Sequence, residues 1–231
     1  MAKQEKFVII DGNALLHRAF HALPPTMSTK DGEIVNAVYG FTMTLLKVLK
    51  DLKPDYLAVA FDRKEKTFRH KEYVGYKAHR IKQPDELYNQ LPRIKEVFKA
   101  FDIPIYEKAG YEADYIIATL VIDKKVEKIQ SIIVTGDLDT LQLVDRNTEV
   151  FTMHKGMSDT VIYDTAEVKR RYSGLTPEQM VDFKALRGDP SDNIPGVRGI
   201  GEKGAINLLT EFKTLENLYE NHTFTLFMFY D

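Results

Sequence analysis

Cysteine is absent from all 231 residues. That excludes a disulfide framework, thiolate metal sites and thiol nucleophiles. Long apolar runs are missing as well. The opening "MAKQEKFVII" is too short a hydrophobic stretch for a signal peptide, and no later run approaches the roughly 20 apolar residues of a bilayer crossing. The expected setting is cytoplasmic, without a membrane partner. There is no solenoid-length repeat and no low-complexity tract. A nucleotide-binding P-loop is also missing, because no strand precedes "GIGEKG" and no Lys-Ser/Thr pair closes it. His17 and His21 have helical zinc spacing, but residue 18 is Arg where the metalloprotease motif needs Glu. They read as surface or DNA-side histidines.

A strong net charge is lacking too, at −2 overall. The distribution is uneven. Residues 63–82, "RKEKTFRHKEYVGYKAHRIK", hold eight Lys/Arg against two Glu, while the remainder carries 24 against 32 Asp/Glu. A basic segment on an acidic body suits a molecule that holds both a polyanion and cations.

The apolar pattern indicates an α/β fold. "FVII", "YLAVAF" and "SIIVT" are short, buried-type strands, and "PIY" at 104–106 is a weaker one. Helical periodicity covers roughly 13–22, 34–52, 84–101 and 112–124, with a further helix at 138–144. This alternation predicts a mostly parallel sheet covered on both faces. "EVFTM" and "TVIYD" fit a peripheral hairpin or extra strands. Beyond 165 the chain reads as helical, with Thr165 and Thr176 as candidate caps and three glycines before a helix in "GVRGIGEKGAINLL". The apolar, aromatic end "NHTFTLFMFYD" has no clear helical period.

Three predicted strands finish on aspartate: Asp11, Asp62 and Asp137, the last followed by Asp139. In a parallel sheet those ends share one edge, outside which ligands bind. Glu112 and Asp114 enter the same crevice if their helix starts there, and "GDPSDN" adds Asp189 and Asp192. Clustered carboxylates repel unless something positive binds them. Oxygen-rich sets suit hard divalent cations, Mg²⁺ or Mn²⁺, and two such ions roughly 4 Å apart can activate a water and stabilise a phosphodiester leaving oxygen.

The stretches "IIDGNALLHRAFHAL", "AVYGF", "VAFD", "FRHKEYVGYKAHR", "GYEADYIIATL", "TGDLDTLQL" and "GDPSDNIPGVRGIGEKGA" occur in this order over residues 7 to about 215. In this the chain closely resembles the 5′→3′ exonuclease domains of bacterial type I DNA polymerases, within the flap endonuclease family. The resemblance implies a PIN-like nuclease core over 1–174 with a basic helical gateway near 63–90. It also implies a helix-three-turn-helix DNA-binding region over 175–231, shortened relative to its relatives. The implied activity is two-metal cleavage of DNA at 5′ flaps, nicks or ends by a monomer close to the bacterial nucleoid. Asp11, Asp62, Glu112, Asp114, Asp137 and Asp139 would serve the reactive metal, and Asp189 and Asp192 a more distant one. Lys77 and Arg80 would stabilise the scissile phosphate. Arg18, Arg69 and Tyr76 would contact DNA, as would Gly199, Gly201 and Lys203 of a glycine-rich clamp that in relatives also holds a monovalent cation such as K⁺.

Two departures stand out. Relatives usually carry "EADD", whereas this chain has Tyr115 in place of the second acid. A neutral phenol there either donates a hydrogen bond toward the metal site, weakening the second ion, or turns inward and packs. Relatives also continue through further helices. They motivate one rival reading, a structure-specific DNA-binding protein with weakened catalysis; a PIN-type ribonuclease, whose fold also gathers acids at strand ends, is the other.

Overall fold

A computed structural model describes residues 4–126, 129–153 and 159–221. The first half runs β1 (Lys6–Asp11), α1 (Gly12–Ala22), α2 (Asn36–Leu52), β2 (Tyr56–Ala60), α3 (Phe68–Glu72), α4 (Asp85–Asn89), α5 (Leu91–Ala100), β3 (Ile105–Tyr106) and α6 (Ala113–Val126). The second half runs β4 (Gln130–Val134), a 3-10 turn (Leu138–Leu143), β5 (Thr148–Met153), β6 (Thr160–Tyr163), α7 (Thr165–Arg171), a 3-10 turn (Pro177–Gln179), α8 (Met180–Arg187), β7 (Gly188–Asp189), β8 (Ile194–Pro195), α9 (Glu202–Phe212) and α10 (Leu215–Glu220).

One sheet of order β3-β2-β1-β4-β5-β6 carries the fold. Its pairs are parallel except β5–β6, so "EVFTM" and "TVIYD" extend the main sheet through an antiparallel edge. Each central strand alternates between two cores. Phe7 and Ile9 face a cluster shared with Ile117 of α6, while Val8 and Ile10 face Leu16, Phe41 and Phe98 of α1, α2 and α5. Burial on both faces explains why these strands read as unbroken apolar runs. Strand order reverses at β1, where the chain crosses from β3 to β4. The crevice outside this switch point is where open α/β sheets bind ligands.

Local chemistry revises several sequence expectations. The predicted 84–101 helix divides at Gln90, whose buried side chain accepts from Ala37 N–H at 2.9 Å and donates to Asn36 at 2.9 Å. Pro92, in the first turn of α5, supports the restart. The 138–144 helix is a 3-10 turn capped by Asp137, which accepts from Asp139 N–H at 2.9 Å. Asp164, rather than Thr165, caps α7, whereas Thr176 does cap its turn. The basic gateway is not a continuous helix. Between α3 and α4 the chain passes through turns, with Lys77 in the left-handed region at φ 55° and Pro84 leading into α4. The residues of the C-terminal "HTFTLFMFYD" lie outside those described.

The chain after Leu175 shares a core with the sheet. Phe183 and Leu186 of α8 and Leu208 and Leu209 of α9 belong to the same buried cluster as Ile9 and Ile133. Helices α8 and α9 are joined through the β7–β8 ladder, where Gly188 (φ 79°) lies against Gly196 so tightly that a Cβ would stand 2.3 Å from the Gly196 nitrogen. Gly188→Ala should therefore destabilise the fold by about 1–3 kcal/mol from backbone strain alone. Chemical denaturation of the two proteins checks this, and an unchanged midpoint would show that the ladder yields without strain.

Candidate nuclease site

The carboxylates singled out by sequence gather at the C-terminal edge of the sheet. Asp11 ends β1 and caps α1, accepting from Ala14 N–H at 3.0 Å. Its other oxygen accepts from the Thr135 hydroxyl at 2.7 Å, and that hydroxyl accepts from Asp137 N–H at 2.9 Å. Asp62 follows β2. It accepts from the Asn13 side chain at 2.8 Å and from Ala113 N–H, in the first turn of α6, at 2.6 Å. The start of α6 is thus fastened to the β2 edge, which brings Glu112 and Asp114 into the crevice.

Two further acids are Asp189, at the end of β7, and Asp192, in the loop before β8. Ser191 fixes Asp189 through its amide (3.0 Å) and hydroxyl (2.7 Å). Asp192 takes Arg80 at 2.8 Å and the Tyr76 hydroxyl at 3.0 Å. Tyr76 also reaches Glu112 at 2.8 Å, so its one phenolic proton serves two acids. Two clefts of about 300 and 630 Å³ open on this array, the first lined by Arg69, Asp114 and Asp192, the second by Asp137, Asp139 and Asp189.

Positive groups are seated among the acids. Arg69 bridges Glu112 and Asp114, the latter at 2.8 Å. Lys77 binds Glu112 at 2.7 Å. Lys184 of α8 joins Asp139 at 2.6 Å to Asp189 at 2.9 Å. Among the described residues no three Asp, Glu or His side chains converge as a ready-made ligand group; the ammonium and guanidinium groups stand between them instead.

The proton affinities record the crowding. Burial raises Asp11 from 3.8 to about 6, against hydrogen bonds from Ala14 and Thr135, and Asp62 and Asp137 push it the same way. Burial also raises Asp62, with Glu112 and Asp114 adding repulsion, and raises Asp139, with Asp137 and Asp189 adding theirs. Glu112 goes the other way, because Lys77, Tyr76 and Arg69 together outweigh its burial. Asp189 lies low, at about 2, since Ser191 and Lys184 outweigh its burial. Like-charge repulsion therefore runs from Asp189 through Asp139, Asp137, Asp11 and Asp62 to Glu112. An all-oxygen donor set in which closely spaced carboxylates repel one another fits a hard divalent cation.

Other expected residues fall into place unevenly. Tyr76 is 5% exposed and Arg69 lies across two acids, so both are committed to the carboxylate array in this conformation. Arg18 is half-buried on α1, the helix capped by Asp11. Gly199 has φ 84°, and neither it nor Gly201 has an atom within 4 Å of where a Cβ would stand. Lys203 is exposed in the first turn of α9. His21 bonds Gln83 at 3.2 Å and His17 meets the Tyr88 ring edge-on, so the pair is not arranged as zinc ligands.

Tyr115 meets neither expectation. Its ring is 47% exposed and packs against Phe68 and Tyr111, so it neither turns into the core nor rests on the acids. Three site residues escaped sequence reading: Asn13, Thr135 and Lys184. Thr135, two residues before Asp137, is the kind of short-range hydroxyl–amide link that a "TGD" turn allows. Lys184 has no local signal, because its partners come from the 3-10 turn and from β7.

The raised Asp11 value gives a signed test. Its folded value lies above the 3.8 of the free acid, so the folded state binds this proton more tightly than the unfolded chain does. Stability from this group is present at low pH and is lost as pH rises from about 4 through about 6. Asp11→Asn keeps the acceptor for Ala14 and removes the buried charge. It should raise stability at pH 8 by about 1–3 kcal/mol, shrinking toward zero near pH 4. Melts across that range check it, and a pH-independent difference would refute the charge argument.

Comparison with known proteins gives the family and the fold. A family model described as the 5′-3′ exonuclease N-terminal resolvase-like domain matches residues 6–173, and one described as the 5′-3′ exonuclease C-terminal SAM fold matches 175–226. The chain is 48% identical over 218 residues to DNA polymerase I of Caldicellulosiruptor bescii and 47% identical over 221 residues to that of Bacillus subtilis. Those matches cover 94% and 96% of this chain, which spans about 25% of each relative. In fold it is similar to the bacteriophage T5 D15 flap endonuclease solved with DNA and metal ions, with a TM-score of 0.75 at 22% identity over 94% of this chain and 79% of that one. The catalytic core of Rad2 in complex with DNA substrate follows at 0.61 and 21% identity, over 96% and 67%. A match over most of the length, together with relatives near one-half identity, makes this chain a member of the 5′-3′ exonuclease family.

Proposed function

We propose that this chain is a divalent-metal-dependent 5′ nuclease that hydrolyses DNA phosphodiesters at flaps, nicks or 5′ ends. The observation that carries the reading is the edge-to-edge array of eight carboxylates from five separate chain segments, held apart by Arg69, Lys77, Arg80 and Lys184. Such an arrangement weakens a fold unless a cationic ligand repays it. Asp11, Asp62, Glu112, Asp114, Asp137 and Asp139 would sit nearest one Mg²⁺ or Mn²⁺, with a few of them as direct ligands, and Asp189 and Asp192 would serve a more distant second ion. Ions bound there supply an activated water and stabilise the leaving oxygen.

The chain's own residues divide the remaining work. Lys77 and Arg80 present charge beside the acids and exchange carboxylate for phosphate when DNA enters. The left-handed backbone at Lys77, whose N–H donates to Asp192 O at 2.9 Å, aims its side chain into the crevice. Strain of that kind gathers at functional sites. The open space at Gly199 and Gly201 lets duplex backbone approach the start of α9, where Lys203 would contact phosphate and backbone carbonyls would take a K⁺ ion. Such contacts set position and do not read sequence. The DNA region would comprise 175–231 and the nuclease core 1–174, acting as a monomer.

Labelled flap DNA and matched RNA, assayed with metal and beside binding without it, separate this reading from a ribonuclease and from a DNA-binding protein with weakened catalysis. Chelator should stop cleavage and leave DNA binding largely intact. Asp137→Asn should do the same and should abolish the rise in melting temperature that Mg²⁺ gives the parent. Full activity of that variant in Mg²⁺ removes Asp137 from the site.

Lys77→Ala should lower the cleavage rate more than the affinity. Lys203→Ala should instead weaken duplex binding and reduce its log–log salt slope by about one. If the two variants behave alike, the division of roles is wrong.

A further inference from the structure

Tyr115 belongs to a feature that the acidic array does not use. Its ring centroid is 4.9 Å from that of Tyr111 and 5.9 Å from that of Phe68, and Phe68 and Tyr111 are 5.8 Å apart. The three rings form a compact outward-facing group at the start of α6. An open cleft of about 530 Å³ continues from it, lined by Tyr106, Lys108, Tyr111, Tyr115 and Leu120. Tyr115 and Tyr106 are 47% and 42% exposed. Surface aromatics scattered singly need no explanation, but a contiguous ring cluster beside a cleft does.

The charge around it has one sign available. The Lys108 ammonium lies 5.1 Å from the centre of the Tyr111 ring, exposed and without a carboxylate partner among the described residues. Lys64 and Lys66, also exposed, immediately precede the turn into Phe68, and that turn is tied to the Tyr111 loop by Phe68 N–H donating to Gly110 O at 3.0 Å. The one acid of the cleft wall, Glu107, is taken by Lys95. An exposed Tyr115 ring in an aromatic cluster beside unneutralised lysines is the chemistry of a single-stranded nucleic acid site, where bases stack and phosphates meet cations.

The cluster is also continuous with the acidic site. Asp114 adjoins Tyr115 in the chain and binds Arg69 at 2.8 Å. The Arg69 guanidinium carbon in turn lies 5.7 Å from the Phe68 ring centre. A strand leaving the carboxylates past Arg69 therefore meets these rings next. We propose that Tyr115, Tyr111 and Phe68 form a stacking platform for bases of the single-stranded 5′ tail, with Lys108 holding its phosphate. This rests on the nuclease reading and adds to it a tail subsite that distinguishes flaps from nicks. It also answers what the tyrosine at position 115 is for: it supplies an exposed π face.

The test compares three DNA substrates of the same duplex sequence: a flap with a thymidine tail, a flap with an abasic tail and a nick with no tail. For the parent, the thymidine tail should be favoured over the abasic one by about fivefold to a hundredfold in kcat/KM and in affinity measured in chelator. Tyr115→Ala should lose most of that preference while cleaving the nick as the parent does. Tyr115→Phe should keep it. Lys108→Ala should weaken both tailed substrates and lower the salt dependence of binding. The platform is refuted if Tyr115→Ala discriminates between the tails as well as the parent, or if it loses as much on the nick. If no protein cleaves any substrate, the nuclease reading fails and the binding arm still decides the platform. Since Tyr115 is exposed, unchanged melting curves are expected to accompany every one of these results.

Discussion

The carboxylate edge is governed by burial and mutual repulsion among acids that the fold does not allow to separate. Asp11 ends a strand, Asp62 receives the first amide of α6, and Asp189 is fixed by Ser191. None can move away without undoing local structure. Burial, with this repulsion added, raises the proton affinity of Asp11, Asp62 and Asp139, and cations from neighbouring segments offset the charge of Glu112, Asp114, Asp139, Asp189 and Asp192. Arg69, Lys77 and Lys184 are thus part of the same electrostatic balance as the acids they touch. Any ion or phosphate that enters must displace some of these contacts, so binding becomes an exchange of partners.

The exchange explains how loops far apart in sequence are held. The turn region between α3 and α4 is fastened to the β7–β8 loop by Asn193 donating to Gly75 O at 2.7 Å, by Tyr73 donating to Asn193 O at 3.1 Å and by Lys77 N–H donating to Asp192 O at 2.9 Å. Charge pairs at Asp192 add to this clasp. The basic segment is thereby shaped by the acids it faces more than by helical propensity. Gly75 and Pro84 favour turns in any case.

Much of this was legible in sequence because two different periodicities were present. Unbroken runs such as "FVII" and "SIIVT" announced strands buried on both faces, and their terminal aspartates announced the edge. What stayed hidden depended on contacts between distant segments. Gln90 breaks a helix by bonding to the start of α2. Lys184 reaches a 3-10 turn and a two-residue strand. The cap at Asp164 was hidden by something smaller, a neighbouring threonine that looked equally suitable. At Tyr115 the sequence left open whether the ring met the acids or packed inward, and only the positions of Phe68 and Tyr111 show where it went.

The shared core beneath the site has an evolutionary consequence. The matched family regions meet between residues 173 and 175, yet Leu175, Phe183, Leu208 and Leu209 lie in one buried cluster with Ile9 and Ile133. A recombination event at that seam would join two halves whose interior surfaces had never been fitted to each other. Close packing tolerates such mismatches poorly. The two parts are therefore constrained to change together, whereas exposed positions around the start of α9, such as Lys203, can vary without an interior neighbour having to change with them.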